Sequence, residues 1–170
     1  MKLVALIIGV SFIMISCKKN NNSCPYTLLN ATAPATEIAS LRDSLYAHNI
    51  HTFSADPSGL FYTIINPGSG DVANAPCSQI TVNYIGMLLD STVVDSTAAA
   101  QPTTFDLGQV IAGWQKALPL VSTGGEIIAY IPPSLAYGSQ TITNSQGQIV
   151  IPPNSNVVFD IKVVAIKNPQ

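Results

Sequence analysis

The sequence predicts an α+β domain of about 110 residues in which a curved antiparallel β-sheet has a single helix packed across it. Two observations support this fold class. From Gly59 onward, apolar side chains alternate with polar ones in several short segments, the spacing typical of half-buried strands. Between Gly108 and Pro119, apolar side chains instead recur every three or four residues, the spacing typical of a helix.

The N-terminus has the pattern of a bacterial lipoprotein signal peptide. Met1 and Lys2 form a short positive start, residues 3–15 are apolar or small, and a small residue precedes Cys17. The apolar stretch is shorter than the roughly 20 residues of a membrane-spanning helix, which disfavours a transmembrane anchor. We expect residues 1–16 to be removed and Cys17 to carry a lipid anchor in the bacterial cell envelope, at the outer membrane. A plain secretory signal with a chance cysteine is the alternative.

Residues 17–33 are predicted to be a tether, because residues 18–23 have no apolar periodicity and cannot bury anything. Two cysteines remain after Cys17, and an exported protein meets an oxidising compartment in which an even pair tends to close. We therefore predict a disulfide between Cys24 and Cys77 that pins the N-terminal extension to the body. Two unpaired cysteines are the alternative, because a sequence cannot show that two Cβ atoms meet.

Residues 34–60 are predicted to be a short helical extension. Ile38, Leu41 and Leu45 recur at three- and four-residue spacing, which indicates one amphipathic helix that ends near Asn49. A helix of about three turns is expected to lie against its own domain rather than to support a dimer, so we expect a monomer.

Four longer strands and one internal helix are predicted in the sheet domain. The strands are predicted at residues 60–65, 80–89, 126–131 and 157–166. The helix is predicted from a face shared by Val110, Ile111, Trp114 and Leu118.

The composition excludes several classes of function. Of 170 residues, 47% are hydrophobic and only 9% are charged, which excludes a disordered chain and a coiled coil. The net charge of −2, with no basic run in the body, gives no reason to expect a nucleic-acid partner. No CxxC pair, Gly-x-Ser-x-Gly run or phosphate-binding glycine loop is present, so we expect no metal and no cofactor.

Seven short runs occur in the order and near the spacing found in FKBP-type peptidyl-prolyl cis/trans isomerases. The runs are VNYIG at 82–86, VDS at 94–96, FDLG at 105–108, QVIAGW at 109–114, IPP at 131–133, LAYG at 135–138, and IPPN through VFD at 151–160. Each run alone would be weak, but seven in register are specific. The resemblance assigns residues 61–168 to an isomerase domain with a half-open antiparallel sheet wrapped around one short helix. It implies that the clients are proline-containing polypeptides.

The resemblance also implies a role for each matched catalytic residue. Trp114 resembles the residue whose indole forms the floor beneath the prolyl ring. Ile111 resembles the residue whose backbone N–H donates to a substrate carbonyl, and Tyr137 the one whose hydroxyl meets the carbonyl before proline. The remaining implied catalytic residues are Tyr84, Asp95 and Phe159, of which Asp95 would hydrogen-bond and orient Tyr84.

Five further residues are implied to contact the substrate. Phe105 would form an aromatic wall and Val110 the rim of the helix. Val150 and Ile151 would close the pocket from a flap. Val94 stands at a position where the family usually has an aromatic residue.

Two departures from the family pattern leave a second function open. Val94 and Thr103 replace aromatic residues, which puts the rate of rotation in doubt. The alternative is therefore an FKBP-like binding or chaperone module of low or no activity, anchored in the cell envelope. Without the matched runs, Phe105, Trp114 and Phe159 would be interpreted as ordinary core residues.

Overall fold

A computed structural model describes residues 24–98 and 101–170. The predicted signal peptide at 1–16, the lipidation site at Cys17 and the tether at 18–23 lie outside the described residues. In the part of the chain that is described, no helix is both long enough and apolar enough to cross a membrane.

The described chain has one helix before five strands and a second helix before four more, with all strand pairs antiparallel, and this confirms the α+β fold class. The helices are α1 (Ala35–Ala47) and α2 (Ala112–Ala117). The strands are β1 (Ser54–Ala55), β2 (Phe61–Asn66), β3 (Gln79–Leu88), β4 (Val93–Ser96), β5 (Thr103–Asp106), β6 (Glu126–Ile131), β7 (Ile142–Thr143), β8 (Ile149–Ile151) and β9 (Val157–Lys167). The four long strands lie within about one residue of their predicted ends.

Seven strands form one antiparallel sheet in the order β1-β2-β6-β9-β3-β4. The seventh, β5, also pairs with β3: it lies opposite residues 79–82, and β4 lies opposite residues 85–87. A separate hairpin, β7 with β8, lies in the polar segment that follows Gly138. The short strands have two to four residues each, too few to give a readable alternation, so the sequence did not predict them.

The inner face of the sheet packs against α2 and forms the main core. Val157, Phe159, Ile161 and Val163 of β9 are all buried there, as their alternation predicts. From α2, Trp114 is buried in the same cluster.

The helix α2 is shorter than predicted, and the placement of Val110 and Ile111 on it is wrong. Ile111 immediately precedes the helix in an extended conformation, with φ −58° and ψ 154°. Its carbonyl accepts the N–H groups of Trp114 and Gln115, which begins the helix one residue later. The buried Gln115 side chain donates to the Val110 carbonyl at 2.9 Å and holds this residue outside the helix.

The outer face of the sheet packs against α1. Phe61, Tyr130 and Val158 occupy adjacent register positions on three neighbouring strands. They form a second core cluster with Leu41 and Leu45 of the helix, both fully buried. The N-terminal helix thus lies against its own domain.

Residues 24–33, named the strap below, run along the body of the domain. The predicted disulfide between Cys24 and Cys77 is confirmed, with 5.7 Å between the two Cα atoms. The Leu29 N–H donates to the Gln115 Oε1 at 2.7 Å, and Ala33 is buried. This differs from the tether expected up to residue 33, because backbone hydrogen bonds and a covalent bond attach the segment to the domain.

Candidate active site

An open cavity of about 220 Å³ lies between the inner face of the sheet, the N-terminal end of α2 and the loop before β7. Its lining combines aromatic, aliphatic and a few polar side chains. The lining residues are Tyr84, Asp95, Phe105, Gln109, Val110, Ile111, Trp114, Tyr137 and Phe159. An apolar cavity of about 150 Å³ can hold benzene, so a five-membered pyrrolidine ring has room here.

Trp114 lies at the centre of the aromatic part of this lining. Its ring centroid is 5.2 Å from that of Tyr84, 5.8 Å from Phe105 and 5.3 Å from Phe159. The three interplanar angles are 85°, 87° and 86°, the edge-to-face geometry that aromatic quadrupoles favour. The buried indole N–H has no hydrogen-bond partner among the described residues.

Small residues on both sides give the Phe159 ring its position. On the inner face of the sheet, Phe159 of β9 lies opposite Gly86 of β3 and Ala129 of β6. A Cβ atom added to Gly86 would come within 2.6 Å of the Phe159 ring. The ring therefore lies over the β3 backbone and reaches Trp114.

Tyr84 is fixed by Asp95. Asp95 of β4 lies opposite Gly86, two residues from Tyr84 along β3, and the Tyr84 hydroxyl donates to its Oδ2 at 2.5 Å. Burial raises the pKa of Tyr84 far above its ordinary value, and the hydrogen bond to Asp95 and the charge of Asp95 raise it further. The Tyr84 hydroxyl therefore keeps its proton and its orientation.

Tyr137 lies at the mouth of the cavity on a backbone that is fixed on both sides. It follows a 3-10 turn at Pro133–Leu135, and the Gly138 N–H donates to the Pro133 carbonyl at 2.8 Å. The Asn154 N–H donates to the Gly138 carbonyl at 2.7 Å. Burial, and next the charge of Asp95, raise the pKa of Tyr137, so its hydroxyl is protonated near neutral pH and can donate.

Gln109, Val110 and Ile111 also line the cavity. Among the described residues, no acceptor takes a hydrogen bond from the Ile111 N–H. The Ile111 carbonyl, by contrast, already accepts the first hydrogen bonds of α2.

Comparison with known proteins identifies the family to which this fold belongs. Residues 70–164, more than half of the chain, match the model of the FKBP-type peptidyl-prolyl cis-trans isomerase domain. The chain belongs to the FKBP-type peptidyl-prolyl cis-trans isomerase family.

Two curated relatives and one solved structure illustrate the likeness. The chain is 39% identical over 112 residues to the outer membrane protein MIP of Legionella longbeachae, covering 65% of this chain and 46% of the relative. It is 40% identical over 116 residues to the isomerase FkpA of Buchnera aphidicola, covering 68% and 44%. The crystal structure of FkpA from Escherichia coli matches with a TM-score of 0.65 and 31% identity, covering 78% of this chain and 60% of that chain. The chain spans about half the length of these curated relatives.

The cavity of this FKBP domain brings together most of the residues singled out from the sequence. All six implied catalytic residues, together with Phe105 and Val110, line it. Val94, Val150 and Ile151 do not line it. Ile151 is buried, and Val94 and Val150 pack partly buried against the main core.

Two glutamines of the site were not predicted. Gln109 lines the cavity directly before Val110. Gln115 is 4% exposed and joins the strap to the Val110 carbonyl. No distinct signal in the sequence marks Gln115, because the neighbouring Lys116 in the same helix segment is also polar.

Proposed function

We propose that the protein is a peptidyl-prolyl cis/trans isomerase that assists the folding of exported proteins by rotating X-Pro amides without covalent chemistry. The observation that carries this proposal is the aromatic cavity around Trp114, which is mainly apolar and open to solvent. Its lone carboxylate, Asp95, is already hydrogen-bonded to Tyr84. Such a site suits a reaction that makes and breaks no bond to carbon.

An apolar cavity accelerates this rotation through a difference in solvation. The barrier is about 18–20 kcal/mol, because the amide loses its resonance when it twists. The planar amide has the larger charge separation, so an apolar environment destabilises the planar ground state more than the twisted one. A barrier lower by about 4 kcal/mol gives an acceleration of about a thousandfold.

The lining residues take complementary roles in this proposal. The Trp114 indole supports the prolyl ring from below. The Tyr137 hydroxyl donates to the carbonyl that precedes proline, and the Ile111 N–H donates to the carbonyl of proline itself. Asp95 keeps the Tyr84 ring oriented as a wall, and Phe105 and Phe159 are the other walls.

The cellular setting of the proposal is the bacterial envelope. Cys17, acylated after removal of residues 1–16, would anchor a monomer in the membrane, and its clients would be exported polypeptides that contain proline. A relative named outer membrane protein MIP supports an envelope location. Labelling cells with a radioactive fatty acid tests the anchor: the wild type incorporates label and the Cys17→Ser variant does not. Equal labelling of both proteins would exclude this anchor.

The experiment that tests the activity measures cis/trans exchange of a proline peptide by NMR, with the full chain purified in detergent. We expect wild type to accelerate exchange and Trp114→Ala to abolish the acceleration. Phe105→Leu is expected to lower it about tenfold, equivalent to about 1.4 kcal/mol of transition-state stabilisation. A wild-type rate equal to that of Trp114→Ala would refute isomerase activity.

The matched control is Phe53→Leu. Phe53 belongs to the aromatic cluster on the outer face, where its ring lies 5.1 Å from that of Phe61. The same change there should leave exchange unaltered, whereas equal losses for Phe53→Leu and Phe105→Leu would show a general effect on folding.

A second function, binding with little turnover, is supported by Val94 and Thr103. Thr103 is exposed at the edge of the sheet, and neither residue adds an aromatic ring to the cavity. In the same NMR experiment, a pure binding module would shift peptide resonances without raising the exchange rate.

A further inference from the structure

A second groove adjoins the active-site cavity on the side of Ile111. Its volume is about 490 Å³, and residues 109–111 line both spaces. One wall is the strap, through residues 29–31, and the far side includes Ser134. A polypeptide that leaves the active site past Ile111 therefore enters this groove directly.

The strap is held in place before any client arrives. Besides the disulfide at Cys24, the Leu29 N–H donates to the Gln115 Oε1 at 2.7 Å, and the same amide side chain donates to the Val110 carbonyl. Tyr26 hydrogen-bonds the Gln109 side chain. It also lies so close to Gly108 that a Cβ atom there would come within 2.4 Å of the Tyr26 Cβ. The wall is thus preorganised, which reduces the entropic cost of binding.

The chemistry of the groove suits an uncharged, partly apolar peptide. None of its lining residues is ionisable. The nearby Glu37 carboxylate is engaged by the Ser134 N–H at 2.9 Å and by the Ser134 hydroxyl at 2.6 Å. The Leu29 side chain, 52% exposed, offers apolar surface that a bound peptide can cover.

We propose that the strap-walled groove binds the residues that follow proline in the client, and that Leu29 contacts them. The inference rests on the proposed function. If Tyr137 takes the carbonyl before proline, the Ile111 N–H is left for the carbonyl of proline, so the chain after proline passes Ile111 into the groove.

The experiment compares three blocked peptides with the full chain in detergent. One ends at a prolyl amide, one continues for three uncharged residues after proline, and one carries the same three residues before the core sequence. Affinity is measured by NMR titration. The extension after proline is expected to tighten binding about fivefold over the short peptide, and the extension before it to add nothing.

Leu29→Ser and Leu28→Ser form a matched pair of variants. Leu28 is also exposed, at 45%, but does not line the groove. Leu29→Ser is expected to remove the roughly fivefold gain while leaving the short peptide unchanged, and Leu28→Ser to keep the gain. The NMR signals of the Gln115 side-chain amide report whether the strap stays bound in each variant. Leu29→Met, which keeps the apolar contact, should restore the gain.

Three results would overturn the inference: no gain from the extension after proline, an equal gain from the extension before it, or equal losses in the Leu28 and Leu29 variants. A failure of the proposed function differs from all three, because no peptide would then bind or show accelerated exchange.

Discussion

The two faces of the sheet each hold an aromatic cluster, but the helices that pack on the two faces cover them to different extents. On the outer face, the Phe53 ring lies 5.8 Å from that of Tyr46 on α1 and 5.1 Å from that of Phe61, and α1 covers Phe61. On the inner face, the rings around Trp114 are just as close, yet they border a cavity of about 220 Å³.

The length of the packing helix explains much of this difference. Helix α1 has 13 residues and covers Phe61, Tyr130 and Val158, whereas α2 has only six. Extended backbone at Val110 and Ile111 takes the place of another turn of α2, and an open mouth remains. An aromatic cluster alone therefore does not identify a binding site. The site forms where the packing helix is too short to cover the cluster.

The largest expected effect on stability is at Leu45 of α1, which is fully buried against the outer face of the sheet. Leu45→Ala is expected to lower the free energy of unfolding by about 3 kcal/mol, through lost burial and the cavity left behind. Peptide exchange at a temperature where the variant is folded should be unchanged, because α1 does not line the active site. Chemical denaturation measures the first effect and NMR exchange the second.

Asp43→Ala, an exposed change on the same helix, is the control and should shift stability by less than about 0.5 kcal/mol. If Leu45→Ala cost no more than this control, α1 would not be packed as described.

The packing of α1 on the outer face was easier to predict from the sequence than the cavity on the inner face. The spacing of Ile38, Leu41 and Leu45 predicts the buried stripe of α1, since a helix face repeats every three to four residues. The start of α2 at Ala112 could not be predicted in this way, because the helical spacing of apolar residues already includes Val110 and Ile111. Its boundary depends on the Gln115 side chain and the Val110 carbonyl, a local contact without a periodic signal.

The site shows the same limit. Matched runs indicated Tyr84, Trp114 and Phe159, but Val150 and Ile151 lie outside the lining. The path of the polar loop that carries them depends on the β7–β8 hairpin, whose strands are too short to read from a pattern.

The cavity on the inner face should be sensitive to the pair Tyr84 and Asp95. Tyr84→Phe and Asp95→Ala are each expected to lower kcat/KM about tenfold, because either change removes the hydrogen bond that orients the Tyr84 ring. The double variant should lose no more than either single variant, since both changes remove one interaction. NMR exchange at several peptide concentrations gives the values. Additive losses would mean that the two side chains act independently.

A smaller effect is expected at Asp160, on the part of the outer face that α1 leaves uncovered. Asp160 lies between Ile85 and Ile128 on neighbouring strands, and its Oδ1 has no hydrogen-bond partner among the described residues. Burial, followed by the charge of Glu126, raises the pKa of Asp160, while Lys162 opposes this. A raised pKa means that stability is lost as pH rises through the folded-state pKa, so the ionised form destabilises the protein at pH 7.

Asp160→Asn should therefore raise the melting temperature at pH 7 by about 1–2 °C, since this partly exposed group is screened by solvent. The gain should shrink below pH 4, where the wild-type carboxyl also binds a proton. Calorimetry at pH 7 and pH 3.5 measures the difference. A variant that is less stable at pH 7 would contradict the assignment.

The smallest expected effect is that of pH on the rate of catalysed exchange. Both histidines of the chain, His48 and His51, follow α1 on the outer side and do not line the cavity. The hydroxyls of Tyr84 and Tyr137 have raised pKa values, so neither loses its proton until the pH exceeds the ordinary tyrosine value of about 10. Catalysed exchange should thus be constant between pH 6 and pH 9 in NMR measurements at fixed temperature. A decline as pH rises through this range would mean that one hydroxyl ionises within it, contrary to the raised pKa values of both groups.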